Sequence, residues 1–183
     1  MSDGNQFSMQ FWGVRGSVAV PGPKTVRYGG NTSCLEVRCG EHLIILDAGT
    51  GIRDLGYKLL PGLPVNTNIY MTHTHFDHIC GLPFFVPLFI PGNKITMWAG
   101  HLQPEHTLKQ VLTEMMMAPL FPVPPEVFQA DVDYKDFTVG DVLEPHPGVM
   151  VRTAKLNHPN QATGYRIEYK GKSICDITDT EHP

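Results

Sequence analysis

Paired cysteine spacing, a basic block, a recognisable leader pattern and a long apolar run are not seen in this sequence, and each absence argues against a class of protein. The four cysteines, Cys34, Cys39, Cys80 and Cys175, form no C-x-x-C unit and no short disulfide framework, so reduced thiols are expected. Lys+Arg 14 stand against Asp+Glu 18, a formal net charge of −4 with no run of basic residues. Direct binding to a nucleic-acid backbone is therefore not indicated. The opening MSDGNQFSMQFWG lacks a basic segment followed by an apolar one, so no signal peptide is read there. Leu82 to Pro91 is short and interrupted by Pro83, Pro87 and Pro91, which excludes a membrane span. A cytoplasmic location without a membrane partner is the expectation. Charged residues are sparse at 17% while hydrophobic ones reach 42%, a composition that is neither disordered nor coiled-coil. The 183 residues suffice for one domain with a sizeable core, taken as residues 1–183.

What is present is a series of short apolar runs bounded by glycine and proline. Residues 7–12 and 33–38 have the length and patterning of strands. Leu43-Ile44-Ile45-Leu46 is a continuous apolar run of the kind buried on both faces, with Asp47 at its end. Ile52, Leu55, Leu59 and Leu60 then recur at helical spacing until Pro61-Gly62 stops the helix, and a strand follows at 67–72. Ile79 to Phe89 is expected to start as a helix and end in a proline-interrupted loop. A strand is expected over Lys94–Ala99 and a helix over His106–Met117. Four prolines between Pro119 and Pro125 forbid regular structure there; the segment is either a flap over the site or a plain surface connection. Val149–Leu156, Gly164–Tyr169 and Ser173–Ile177 are expected as three successive strands.

The chemistry concentrates in Thr72-His73-Thr74-His75-Phe76-Asp77-His78. At a strand end, His73 and His75 point the same way because side chains alternate with period two, so both imidazoles can reach one ion. Asp77 and His78 lie on the following turn, where they can face a second. Imidazole and carboxylate together suit Zn²⁺, Mn²⁺ or Fe. The other histidines, His42, His101, His106, His146 and His182, have no ligand-like spacing and are read as loop or surface residues. Asp47 has two readings: it orients a ligand histidine from one layer out, or it caps the helix that follows.

THTHFDHICGLP resembles the His-x-His-x-Asp-His signature of the metallo-β-lactamase fold superfamily. FWGVRGS at 11–17, YGGNTSC at 28–34 and LDAGTG at 46–51 resemble its phosphodiesterase-like branch, which includes cyclic-phosphate diesterases and relatives of the tRNA 3′-processing ribonuclease. The resemblance implies an α/β fold, an αββα sandwich of two facing sheets with helices outside. It also implies a dinuclear centre of two divalent metal ions, Zn²⁺ or Mn²⁺ or Fe. His73, His75 and His158 would hold the first ion and Asp77 and His78 the second, with Asp179 between. His158 and Asp179 each follow an expected strand. Residue type alone does not separate Asp179 from Asp176; Thr178-Asp179-Thr180 matches the family pattern.

The implied activity is hydrolysis of a small phosphodiester or nucleotide-like substrate, with Asp77 as a catalytic group orienting the attacking water. Another ester, a thioester or RNA as substrate, or a metal-binding regulatory module without turnover, are the rival readings. The family pattern ends on a further histidine and covering helices, and nothing after Asp179 matches them. The expectation is a fold shortened at its C-terminal part, with an uncovered apolar face or open edge that favours a homo-oligomer.

Overall fold

The computed structural model describes residues 6–181; His182, one of the histidines considered above, lies outside them, as do the first five residues of the N-terminal stretch. β1 (Phe7–Gly13), β2 (Cys34–Cys39) and β3 (His42–Leu46) form an antiparallel meander. β4 (Asn66–Met71), β5 (Lys94–Ala99) and β6 (Asp131–Asp136) then add in parallel, giving a six-stranded sheet in the order β1-β2-β3-β4-β5-β6. β7 (Val142–His146), β8 (Val149–Leu156), β9 (Ala162–Tyr169) and β10 (Lys172–Asp176) make a four-stranded antiparallel sheet. Three helices are present among the described residues: α1 (Gly51–Leu59), α2 (Phe76–Ile79) and α3 (Leu108–Met115).

The apolar run of β3 is explained by a core on each of its faces. Leu43 and Ile45 join Ile69, Met71, Ile95 and Met97 on one side, where Ile52, Leu55 and Leu59 of α1 and Leu108 and Leu112 of α3 close over them. Ile44 and Leu46 point the other way, to Tyr70 and to Val149, Val151, Tyr165 and Ile167 of the second sheet. Each fully buried aliphatic side chain contributes about 1.5–3 kcal/mol, so the central strands hold both layers. α3 starts where Thr107 and Gln110 form a reciprocal capping box.

The helix expected from Ile79 is reduced to the single turn of α2, followed by 3₁₀ turns at Leu82–Phe84 and Val86–Phe89. Pro83 and Pro87, each in the first turn of its 3₁₀ segment, remove the donors a continuing α-helix needs. Two strands stand outside the sequence-based reading. β6 alternates exposed and half-buried positions and carries Asp131, Asp133 and Asp136, residues poor in strand propensity. β7 contains Pro145 and pairs with a register shift between Leu143 and His146, as an edge strand allows.

No described helix packs on the outer face of the second sheet, but that face is not apolar. Arg152 and Arg166 both pair with Glu168 across it. These charges interrupt the apolar surface there, where Val142, in register with Arg152, is exposed, and the outer edge of β10 is unpaired among the described residues. None of the four cysteines is in a disulfide, and no helix of the described residues is long and apolar enough to cross a membrane.

At the end of the sheets remote from the Thr72–His78 loop, Trp98 Nε1–H donates to Asn68 Oδ1 at 2.8 Å. This fixes the amide so that Asn68 Nδ2 donates to His146 Nε2 at 3.0 Å, and the His146 ring stacks on His42 at 4.1 Å. Burial, then the neighbouring His42, lowers the pKa of His146. A depressed histidine makes the folded state bind fewer protons, so its stabilisation is complete above the unfolded value of about 6.5 and is lost as pH falls through it. Denaturation midpoints are expected to drop between pH 7 and pH 5 more steeply for the natural chain than for His146→Gln. Parallel slopes would show that His146 carries none of the acid sensitivity.

Candidate metal centre

β3 and β4 are parallel neighbours, so their carboxyl ends deliver Asp47 and the His73–His78 loop to one place. Asp47 is fully buried and sits at φ +61. Its carboxylate accepts from Thr72 N–H at 2.8 Å, from the Thr72 hydroxyl at 2.9 Å, from Ser33 Oγ–H at 3.0 Å and from His78 Nδ1 at 2.7 Å. The N-cap of α1 is Thr50, and none of these contacts goes to that helix. Of the two readings of Asp47, the carboxylate takes the one that orients a histidine.

The same carboxylate orients two rings. His78 donates from Nδ1 to Asp47, which leaves Nε2 facing Asp179 Oδ2 at 2.8 Å and Asp77 Oδ2 at 3.5 Å. Thr72 spends its only hydroxyl proton on Asp47 and stands 3.1 Å from His73 Nδ1. His73 must therefore donate from Nδ1, and its Nε2 lone pair turns toward Asp179 Oδ2 at 4.0 Å.

The second sheet supplies the rest. Thr163 N–H donates to Thr72 O at 2.7 Å and the Tyr165 hydroxyl to Met71 O at 2.6 Å, tying β9 to the end of β4. His158, in the β8–β9 loop, places Nε2 at 3.1 Å from His75 Nδ1. The rings of His73, His75 and His158 stand edge to face around one point, with centroids 4.5, 4.8 and 4.9 Å apart. Asn157 and Glu181 clamp the segments carrying His158 and Asp179 through bonds of 2.7 and 3.1 Å. Asp176, the rival to Asp179, ends β10 with a buried Oδ2 that has no hydrogen-bond partner. Desolvation, then the charge of Asp47, raises it to about 7.

The donor atoms fall into two groups, His73/His75/His158 and His73/His78/Asp179, each with its ligand atoms within 4.8 Å of one another. Asp77 lies outside both groups, with Oδ2 at 3.5 Å from His78 Nε2, and is held by the Ser17 N–H at 2.6 Å. These residues fit divalent cations. Against the desolvation of burial, Asp47, Asp77 and Asp179 raise His78 to about 9, so the place demands positive charge. Desolvation, then His78, lowers His73 to about 4, which keeps it a neutral imidazole as a ligand must be. The three facing rings, whose His158 Nδ1 is buried without a partner, have lone pairs and no anion among them.

Two cavities flank the cluster. One of about 230 Å³ is bounded by Arg15, Gly16, His78, Asp176 and Asp179. The other, about 510 Å³, opens beside His73 and His75 and is lined by His101, Glu105, Asn160 and Gln161. His101, read from the sequence as a loop histidine, is buried here. Its Nε2 lies 3.1 Å from Thr74 Oγ1, between the two histidines of the motif. The signal that could have found it is its place two residues beyond β5, the parallel neighbour of β4.

A Beta-lactamase superfamily domain matches residues 42–183. Ribonuclease Z of Mycobacterium marinum is 24% identical over 161 residues, which cover 79% of this chain and 55% of that protein. The chain thus spans about half the length of this relative. Among solved structures, the metallo-β-lactamase fold protein YhfI from Bacillus subtilis superposes with a TM-score of 0.69 at 16% identity, covering 96% of this chain and 63% of its own. A diphosphatase from the PhnP family superposes with a TM-score of 0.64 at 20% identity, covering 88% and 62%. With the family domain covering residues 42–183, the chain belongs to the β-lactamase superfamily and has the metallo-β-lactamase fold.

Proposed function

We propose that this chain is a metal-dependent hydrolase of small phosphodiesters, built around a dinuclear centre. The observation that carries the reading is the pair of three-donor groups sharing His73. The names of two similar proteins, a ribonuclease Z and a diphosphatase, support a phosphorus–oxygen bond as the target. His73, His75 and His158 would hold one ion, Asp77 and His78 the other, and Asp179 reaches toward both. Nitrogen and carboxylate donors without thiolate suit Zn²⁺, Mn²⁺ or Fe. Bound there, divalent ions supply Lewis-acid charge and bring the pKa of water toward neutrality.

The chain's own residues do the rest. Asp77, fixed through Oδ2 by Ser17 N–H, orients the attacking water. Asp47 holds His78 directly and His73 through Thr72, so neither ring can turn its wrong nitrogen to the site. The cavity of about 510 Å³ has the size of small-ligand sites and polar walls for an organic leaving group. A small substrate is favoured over an RNA backbone by the net charge of −4 and by the absence of any Lys or Arg among the residues lining that cavity.

The test is hydrolysis of bis(p-nitrophenyl) phosphate by the chain reconstituted with Mn²⁺ or Zn²⁺. Metal-dependent turnover is expected, falling in His75→Ala by more than the 10–100-fold typical of residues one layer outside a metal. Faster cleavage of a thioester or carboxylate ester, or no metal-dependent turnover, overturns the assignment.

A further inference from the structure

We propose that Arg15 is the anion-binding residue of this site, its guanidinium seating phosphoryl oxygens in the cavity of about 230 Å³ that it shares with His78 and Asp179. The inference rests on the phosphodiester reading above and adds the group that recognises the substrate.

Five of the six arginines have an evident partner. Arg38 pairs with Glu36, Arg53 with Asp54, and Arg152 and Arg166 with Glu168, while Arg27 lies over the Tyr28 ring. Arg15 has neither carboxylate nor ring among the described residues. Its Nε donates to Gly29 O at 3.2 Å, which steers the side chain, and its two terminal nitrogens are left without a partner among the described residues. A guanidinium with a free fork is the group best matched to two phosphoryl oxygens.

Its backbone is held against the metal loop. Val14 and Arg15 both donate N–H to Asn31 O at 3.0 Å, and Ser17, two residues on, holds Asp77. This close approach needs Gly13, because a Cβ there would stand 1.8 Å from Thr32 O. Among the described residues, Arg15 is also the only Lys or Arg lining either cavity beside the histidines. Asp176 and Asp179 form the acidic wall of the same cavity, yet Arg15 makes no ion pair with either. Asp179 in that wall is a proposed metal ligand, so an anion should bind only to the metal-loaded protein.

The experiment is calorimetric titration of inorganic phosphate into the Zn²⁺-loaded chain, with metal content measured for each variant. Phosphate is expected to bind the natural chain and to bind Arg15→Gln about 10–100-fold more weakly at unchanged metal content, the scale of lost charge-assisted hydrogen bonds. Arg15→Lys, which keeps the charge and loses the fork, is expected between them. In hydrolysis of bis(p-nitrophenyl) phosphate, the Arg15→Gln loss should appear mainly in KM. Unchanged phosphate affinity in Arg15→Gln overturns the proposal and leaves the hydrolase reading standing; so does loss of metal from that variant, which would make Arg15 a support of the centre. A natural chain that neither binds phosphate nor hydrolyses the diester overturns both.

Discussion

Asp47→Ala is expected to lose about 3–5 kcal/mol of folding stability, the range for removing one partner of a buried charged network. Metal affinity should fall about 10–100-fold as well. The size follows from what the carboxylate holds at zero exposure: the Thr72 amide and hydroxyl, the Ser33 hydroxyl and His78 Nδ1. Alanine leaves these donors buried without an acceptor, and it must also adopt φ +61, which Asp and Asn tolerate better than alanine. Asp47→Asn, which keeps the volume and one oxygen, should fall between the two. Denaturation in the presence of chelator separates the stability term from the metal term. A natural denaturation midpoint in Asp47→Ala would sink the argument.

The second large effect concerns metal stoichiometry. His158 belongs to the first donor group alone and His78 to the second alone. After dialysis, His158→Ala and His78→Ala are each expected to keep about half the metal of the natural chain, while the double variant keeps almost none, since structural and catalytic sites alike need at least three protein ligands. Elemental analysis by mass spectrometry reads this directly. Complete loss of metal in either single variant would mean that the two groups do not act as separate sites.

Much of the candidate centre was legible because its donor residues are dense in sequence. His73, His75, Asp77 and His78 occupy one loop, and their strand could be read from a short apolar run ending at Met71. His158 and Asp179 were legible as strand-end residues, and the structure brings both to the cluster. Asp47 offered two roles of equal standing, and only the position of the His78 ring separated them. His101 carried no local pattern for a site role, since it comes beside the motif through β5, the parallel neighbour of β4, and Arg15, though inside the FWGVRGS motif, follows the edge strand β1, so its place beside the cluster was not readable from the chain. β6 and β7 were missed because aspartates and a proline, tolerated at sheet edges, obscure the alternation that marks a strand.

The clamp between Asn157 and Glu181 and the bonds from β9 to the end of β4 give the proposed ligand set a divided origin. Four donors ride on the loop after β4, and two ride on the second sheet. The site therefore exists only in chains whose sheets are docked, and a cation that binds it selects that docked population. By mass action its free energy of binding is added to the cohesion between the layers. Any measured metal affinity is correspondingly reduced by the work of bringing the sheets together. A substitution in the inter-sheet core, at Val151 or Tyr165, can thus weaken metal binding without touching a ligand.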